Sequence, residues 1–252
     1  MTYPILEFDA TREAFIEPSK VIQPRDLPEH CVICFFSEVI EKIVAEQNAK
    51  IVVENRWEDG PHHIYEIVRQ GRRVVFFNPG VGAPLTSGLL EEAIAFGCRK
   101  FIACGGCGVL EKDIAVGQLL VVQDAVRDEG VSYHYLAPGR EVSAHPAGIN
   151  ALVETLHKRG MPYRVGKTWT TDAPYRETVN KIAARKAEGC LVVEMEAAAM
   201  LAVAQFRAVI LGQVLYGGDD LSGNQWDQRD WQSRSQIRES LFWLSVDACL
   251  SL

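Results

Sequence analysis

The chain has 252 residues, 48% of them hydrophobic and 23% charged, and a net charge of −7. That length suits one sizeable α/β domain over residues 1–252 better than two small ones, and an acidic balance without a basic run argues against nucleic acid as a partner. No apolar run nears the roughly 20 residues that span a bilayer, and Met1-Thr2-Tyr3-Pro4-Ile5 has neither the basic nor the apolar segment of an export signal. A cytoplasmic protein that works away from membranes is expected. Seven cysteines in such a chain read as reduced thiols rather than a disulfide framework. Cys31/Cys34 and Cys104/Cys107 have zinc-ligand spacing, but Cys31 to Phe36 reads as a buried strand, on which residues three apart point to opposite faces. No metal is expected.

Residues 1–29 hold four prolines, Pro4, Pro18, Pro24 and Pro28, and no sustained period, so an irregular lead-in is predicted. The strand Cys31 to Phe36 follows, then Ser37 as N-cap of a helix from Glu38 to Gln47 with Val39, Ile40, Ile43 and Val44 at helical spacing. Ile51 to Glu54 is a short strand, and His63 to Arg69 and Arg72 to Phe77 flank Gln70-Gly71 as a hairpin. After Phe76-Phe77-Asn78 comes Pro79-Gly80-Val81-Gly82-Ala83-Pro84, then a helix from Leu85 to Phe96 ended by Gly97. Strand, glycine loop and helix in that order are what an anion site at a helix N-terminus requires. A dinucleotide fold uses the same device. Here, however, Leu85 replaces the third glycine of G-x-G-x-x-G, and the next strand, Lys100 to Cys104, ends without the acidic residue that would hold the ribose of NAD. That strand opens into Gly105-Gly106-Cys107-Gly108, a second glycine-rich loop. Either loop alone could be a plain turn; together, after adjacent strands, they would face the sheet edge where open α/β folds place ligands.

Gln118 to Gln123 is another strand, followed by Arg127 to Tyr135, where His134 is either a sugar contact or a packed aromatic. Pro146 to Lys158 is helical, with Leu152, Val153 and Leu156 on one face. Tyr163 to Thr168 is a strand running into Trp169-Thr170-Thr171-Asp172-Ala173-Pro174-Tyr175-Arg176-Glu177. An aromatic, an arginine and hydroxyls on one loop suit a planar heterocycle, and Asp172 or Thr171 can start a helix there as well. Next, the apolar Leu191-Val192-Val193 leads through Glu194-Met195-Glu196 into the alanine-rich Ala197-Ala198-Ala199-Met200, a strand-to-helix junction holding two carboxylates. Burying an ionised carboxylate costs several kcal/mol unless it is paired or hydrogen-bonded. An ionised Glu can accept from both hydroxyls of a ribose; alternatively one Glu caps its own helix while the other faces water. Ala208 to Leu215 reads as a central strand ending in Tyr216-Gly217-Gly218-Asp219-Asp220-Leu221. A carboxylate at that end is placed to share a proton with a leaving group, unless it only turns the chain. Ser222 to Asp230 is a polar loop, and across 229–252 the chain closes on an amphipathic helix read from Trp231 to Leu250.

Taken in order, Asn78-Pro79-Gly80-Val81-Gly82-Ala83-Pro84, Gly105-Gly106-Cys107-Gly108-Val109-Leu110, Val116-Gly117-Gln118-Leu119-Leu120-Val121 and Glu194-Met195-Glu196-Ala197-Ala198 resemble the nucleoside phosphorylase family. That family includes uridine phosphorylase, hexameric purine nucleoside phosphorylase and the adenosylhomocysteine nucleosidases. The resemblance runs from about Cys31 to Asp220 and is most specific at the Glu-Met-Glu motif. It implies a three-layer α/β/α sandwich around a mixed central sheet, assembled as a homodimer or a ring of dimers. It also implies that Met195 and Glu196 hold the ribose, with Glu194 in the same motif, and that Gly82, Gly105 and Gly106 lie by the phosphate. Tyr175 and Arg176 fall in the base-recognition loop, and Asp219, or else Asp220, protonates the departing base. Inorganic phosphate is the co-substrate, with no other cofactor.

The chain departs from the family in two places. Cys34-Phe35-Phe36-Ser37-Glu38 stands where family phosphorylases carry Gly-Asp-Pro-x-Arg, and Ala103-Cys104 where they carry an arginine. Arg56 matches the arginine that uridine enzymes lend across a dimer interface, and it is the one phosphate cation carried over. The expected reaction is phosphorolysis of a nucleoside to base and (deoxy)ribose 1-phosphate. The missing arginines favour two alternatives, hydrolysis by water and nucleoside binding without catalysis. Asp219 points to purines and Arg176 to pyrimidines.

Overall fold

A computed structural model describes residues 3–252. Met1 and Thr2, with their share of the lead-in and export-signal readings, lie outside the described residues. The lead-in contains a 3-10 turn (Pro4–Leu6) and α1 (Pro18–Val21). Then follow β1 (His30–Cys34), α2 (Ser37–Glu46), β2 (Lys50–Trp57), β3 (Gly60–Arg69), β4 (Arg72–Phe77), α3 (Ala83–Phe96) and β5 (Lys100–Val109). The second half runs β6 (Leu119–Asp128), α4 (Ser132–Tyr135), β7 (Glu141–Ser143), α5 (Pro146–Lys158), β8 (Tyr163–Thr171) and a 3-10 turn (Pro174–Arg176). It ends with α6 (Val179–Ala187), β9 (Cys190–Glu194), α7 (Ala197–Arg207), β10 (Ile210–Asp220), a 3-10 turn (Trp231–Ser233) and α8 (Ser235–Ser251).

Continuous apolar runs in β1, β4 and β5 bury both faces of the sheet centre, which obliges helices to cover each side. On one side Leu89 and Leu90 of α3 and Met200, Leu201 and Val203 of α7 pack on Cys31, Ile33 and Phe101. On the other, Val39 and Ile43 of α2, Leu152 of α5, and Leu241 and Phe242 of α8 pack on Val32, Phe76 and Ile102. Each such side chain contributes about 1.5–3 kcal/mol by burial. The result is the expected three-layer sandwich. The sheet order is β10-β6-β8-β9-β5-β1-β4-β3-β2, with β7 on β6. A further pairing of β10 with β5 closes β5, β10, β6, β8 and β9 into a ring. Strands β4, β1, β5 and β10 run parallel, β6, β8 and β9 are parallel to one another, and the two sets meet antiparallel. The sheet is therefore mixed, and the C-terminal ends of β4, β5 and β10 share one edge.

The Gln70-Gly71 turn has φ of 52° and 74°, the doubly left-handed geometry of a type I′ hairpin. Ser37 is not the N-cap: it is the first helical residue after Phe36, and its Oγ accepts from Asn78 Nδ2 at 2.9 Å, tying the loop after β1 to the loop after β4. Gly105 to Gly108 are not a loop but the end of β5. A Cβ on Gly105 would lie 3.3 Å from the Phe35 ring, on Gly106 3.2 Å from the Tyr216 ring, and on Gly108 2.6 Å from Leu221. Close approach by neighbouring side chains, rather than a turn, favours glycine at those positions. The last helix starts at Ser235 because a 3-10 turn occupies Trp231–Ser233. All seven cysteines are free and buried. Among the described residues no group of three His, Cys, Asp or Glu is arranged to hold a metal, and no helix is long and apolar enough to cross a membrane.

Candidate active site

The chain leaves β9 at Glu194 and enters α7 at Ala197, so Met195 and Glu196 form the junction itself. Here the two carboxylates divide their tasks. Glu194 Oε2 accepts from the backbone N–H of Glu196 at 2.8 Å and of Ala197 at 2.6 Å. Its Oε1 accepts from Thr170 Oγ1 at 2.6 Å, and Thr170 Oγ1 in turn accepts from the N–H of Ala198 at 2.9 Å. Glu194 and Thr170 thus satisfy N–H groups that a helix start leaves unpaired. Glu196 turns the other way and accepts from the Gly82 N–H at 2.6 Å. Gly82, at φ 96°, presents that N–H from the loop between β4 and α3. Both carboxylates are 7% exposed. Burial pushes Glu194 up to about 7, against the bonds from Thr170 and the helix N–H groups. Burial and the charge of Glu194 together push Glu196 up to about 8.

A cavity of about 480 Å³ opens beside the junction, a size suited to a small molecule. Glu194, Met195 and Glu196 form one wall, Gly105 to Gly108 of β5 another, and Gln213 and Asp219 of β10 a third. Asp219 accepts from the Trp226 indole N–H at 2.6 Å. Asp220 instead accepts from the Ser222 N–H at 2.8 Å and is ion-paired with Arg229. Although burial raises its pKa, the bonds from Ser222 and Arg229 outweigh that and hold Asp220 below the usual carboxylate range. Of the two aspartates, only Asp219 lines the cavity.

The structure does not bring every residue of the family pattern to this cavity. Tyr175 is 99% exposed and Arg176 is also exposed, while their neighbours Pro174 and Glu177 line the wall. Arg56 is exposed on the edge strand β2, over a separate hollow with Trp57 and Glu58. His134 is exposed on α4 and lines a further hollow with Tyr135 and Phe206.

Three lining residues carry no signal in sequence spacing. Glu177 is pushed up to about 7 by burial and by the charge of Asp219. Arg238 reaches the cavity from α8, with its guanidinium 5.1, 5.8 and 5.3 Å from the ring centres of Phe36, Tyr216 and Trp231. It donates to Tyr216 Oη at 2.9 Å and to Glu38 Oε1 at 2.6 Å, so its charge is already matched. The third is Gln213, 1% exposed, whose Oε1 has no hydrogen-bond partner among the described residues.

Known proteins resemble the chain in sequence and in fold. The chain is 25% identical to a guanosine phosphorylase from Halorubrum lacusprofundi over 211 residues, 83% of this chain and 86% of that protein. It is 28% identical to a uridine phosphorylase from Salmonella typhimurium over 191 residues, 70% of this chain and 74% of that one. Among solved structures, a uridine phosphorylase from Vibrio fischeri superposes with a TM-score of 0.76 at 19% identity, covering 94% of this chain and 98% of that one. An AMP nucleosidase from Bacteroides thetaiotaomicron superposes with a TM-score of 0.72 at 20% identity, covering 90% and 89%. At such identities the two superpositions speak for the fold. The profile of the phosphorylase superfamily matches residues 29–247, from β1 to within α8 and across the whole cavity, and the chain belongs to that superfamily.

Proposed function

We propose that the chain cleaves the N-glycosidic bond of a nucleoside, with the ribose diol on Glu196, the base beside Asp219 and Glu177, and water as the nucleophile. One observation carries this reading: the cavity gathers Glu177, Glu194, Glu196 and Asp219, and its single guanidinium, Arg238, is paired with Glu38. Breaking the bond builds positive charge on the ribose, which surrounding carboxylates favour. The base departs with the electron pair and needs a proton, and Glu177, pushed up to about 7, holds one near neutrality. A phosphate dianion would instead meet carboxylates with no unpaired cation beside it. In their ionised form these carboxylates repel a dianion, by about 4 kcal/mol for like unit charges 4 Å apart at an effective dielectric near 20. Arg176 lies outside the cavity and an acid faces the base end, so a purine, whose ring nitrogen takes up a proton on leaving, fits better than a pyrimidine.

Phosphorolysis is the second reading. The exposure of Arg56 on edge strand β2 favours it, because a second copy of the chain could receive that guanidinium in its own cavity. The relatives named above as phosphorylases favour it too. Inorganic phosphate would then be co-substrate, Gly82, Gly105 and Gly106 would lie beside it, and the assembly would be a homo-oligomer.

The test is a panel of purine and pyrimidine nucleosides incubated with and without phosphate and resolved by chromatography. Free base and free ribose without phosphate are expected. Strictly phosphate-dependent ribose 1-phosphate would replace water by phosphate as nucleophile. Protection against heat by a nucleoside with no base released would leave a binding protein.

A further inference from the structure

Gln213 of β10 and Ala103 of β5 are direct partners in parallel register, as are Leu215 and Gly105. Paired residues on neighbouring strands point to one face, and Gln213, Leu215 and Gly105 all line the cavity. This stretch of wall is otherwise neutral. A Cβ on Gly105 would meet the Phe35 ring at 3.3 Å and a Leu215 methyl at 3.4 Å, so glycine, ring and methyl form an apolar part of the wall that Gln213 also lines. Gln213 is 1% exposed, and its Oε1 is without a partner among the described residues. A buried acceptor left unpaired costs about 1–3 kcal/mol, a cost that methionine, of similar length, would not carry. An unsatisfied group on the wall of a ligand cavity points to a partner that arrives with the ligand.

We propose that Gln213 holds the attacking water. Its carboxamide oxygen accepts one O–H of that water and orients a lone pair towards C1′ of the ribose held by Glu196. The inference rests on the hydrolytic reading above. The water oxygen forms its bond to C1′ as the C1′–N bond breaks. The base leaves with that electron pair and takes a proton from the Glu177 and Asp219 side, and the proton lost by the water passes to a cavity carboxylate. No oxidant or further reactant is needed. A carboxamide suits this task because it is neutral: it orients water without taking the proton itself and offers no charge to hold a phosphate dianion.

The experiment uses the full chain, a nucleoside that the wild type hydrolyses, and the variants Gln213→Met and Gln213→Ala. Gln213→Met should lower kcat about 100-fold, the scale on which misplacing a reacting group acts, while KM stays within a few-fold of wild type. Its melting temperature should be unchanged or higher, because the orphaned oxygen is gone. Gln213→Ala opens room beside C1′, so in aqueous methanol the ratio of methyl riboside to ribose should rise several-fold over wild type. A purely structural glutamine would move the melting temperature and leave that ratio alone. Variants with wild-type kcat and an unchanged methanol ratio, or both losing kcat only in step with a lowered melting temperature, overturn the role of Gln213 while hydrolysis stands. A wild type that yields ribose 1-phosphate, or no product, overturns the hydrolytic reading and this inference with it.

Discussion

Helix α7 has a buried pair of carboxylates at each end, and the two pairs are treated in opposite ways. At the C-terminal end, Glu17 and Glu91 are 6% and 7% exposed, and Arg207 in the last turn donates to them at 2.8 and 2.7 Å. Burial alone would raise Glu17, yet the Ala14 N–H and the Arg207 guanidinium hold it below its ordinary range. A cation at a helix C-terminus is also favoured by the helix dipole. At the N-terminal end, Glu194 and Glu196 are both 7% exposed but meet only N–H groups and hydroxyls, and they rise to about 7 and 8. Burial therefore does not mark a site by itself. The pair without a counter-charge is the one that can still exchange protons and accept a ligand.

Removing the cation from the paired end should have the largest effect. Arg207→Met leaves Glu17 and Glu91 buried without a guanidinium, a loss of about 3–5 kcal/mol of stability, seen as a lower melting temperature while the folded fraction keeps its activity in the cold. At the other end the pattern inverts. Glu196→Gln should lower turnover about 100- to 1,000-fold, as loss of a reaction-centre contact does, with no fall in melting temperature at pH 8. If Arg207→Met abolishes turnover without loosening the fold, or Glu196→Gln unfolds the chain and spares turnover, the contrast between the two ends breaks.

What the sequence disclosed of this contrast was its local part. The apolar run into alanines located the junction, and Gly97 and the Gln70-Gly71 turn were legible because each sets its own backbone. That one of the two carboxylates caps the helix was legible; which one does so, and that the other meets Gly82 rather than water, was not. That assignment depends on Thr170 from β8 and Gly82 from the loop after β4, which arrive through pairing and crossover rather than spacing. The glycines of β5 look identical in sequence whether they turn or admit a neighbour, and Phe35, Tyr216 and Leu221 decide the matter from distant segments. Glu38 and Arg238 lie 200 positions apart, beyond any motif. The isolation of Gln213 is a property of what surrounds it, so no residue pattern announces it.

Titration separates the two ends more finely than mutation. At Glu194 and Glu196 the folded pKa lies above the ordinary carboxylate value, so the folded chain binds more protons and their contribution to stability falls as pH rises through about 7 and 8. At Glu17 the folded pKa is lowered, so its contribution is present at neutral pH and is lost on acidification. Melting temperatures followed across pH should therefore lose part of their alkaline decline in Glu196→Gln and part of their acid decline in Arg207→Met. Activity should follow the first pair. kcat/KM needs Glu196 ionised, though it is pushed up to about 8, and Glu177 protonated, though it is pushed up only to about 7, so a minor fraction of the enzyme is competent and the profile is a narrow bell centred between the two values. In kcat the acid limb should move to lower pH, because bound diol hydroxyls donate to the ionised Glu196.

The smallest effect is expected at Arg56, and it sharpens the comparison most closely. Exposed on edge strand β2 and outside the cavity of its own chain, Arg56 has no part in an attack by water. Arg56→Ala should change turnover less than about twofold with or without phosphate, in keeping with surface substitutions generally. Suppose instead that phosphate accelerates the wild type and Arg56→Ala cancels only that acceleration. Then a second copy of the chain would supply the N-terminal end of α7 with the counter-charge that Arg207 gives the C-terminal end. The two ends would then differ not in whether a cation is present, but in whether it arrives with folding or with assembly.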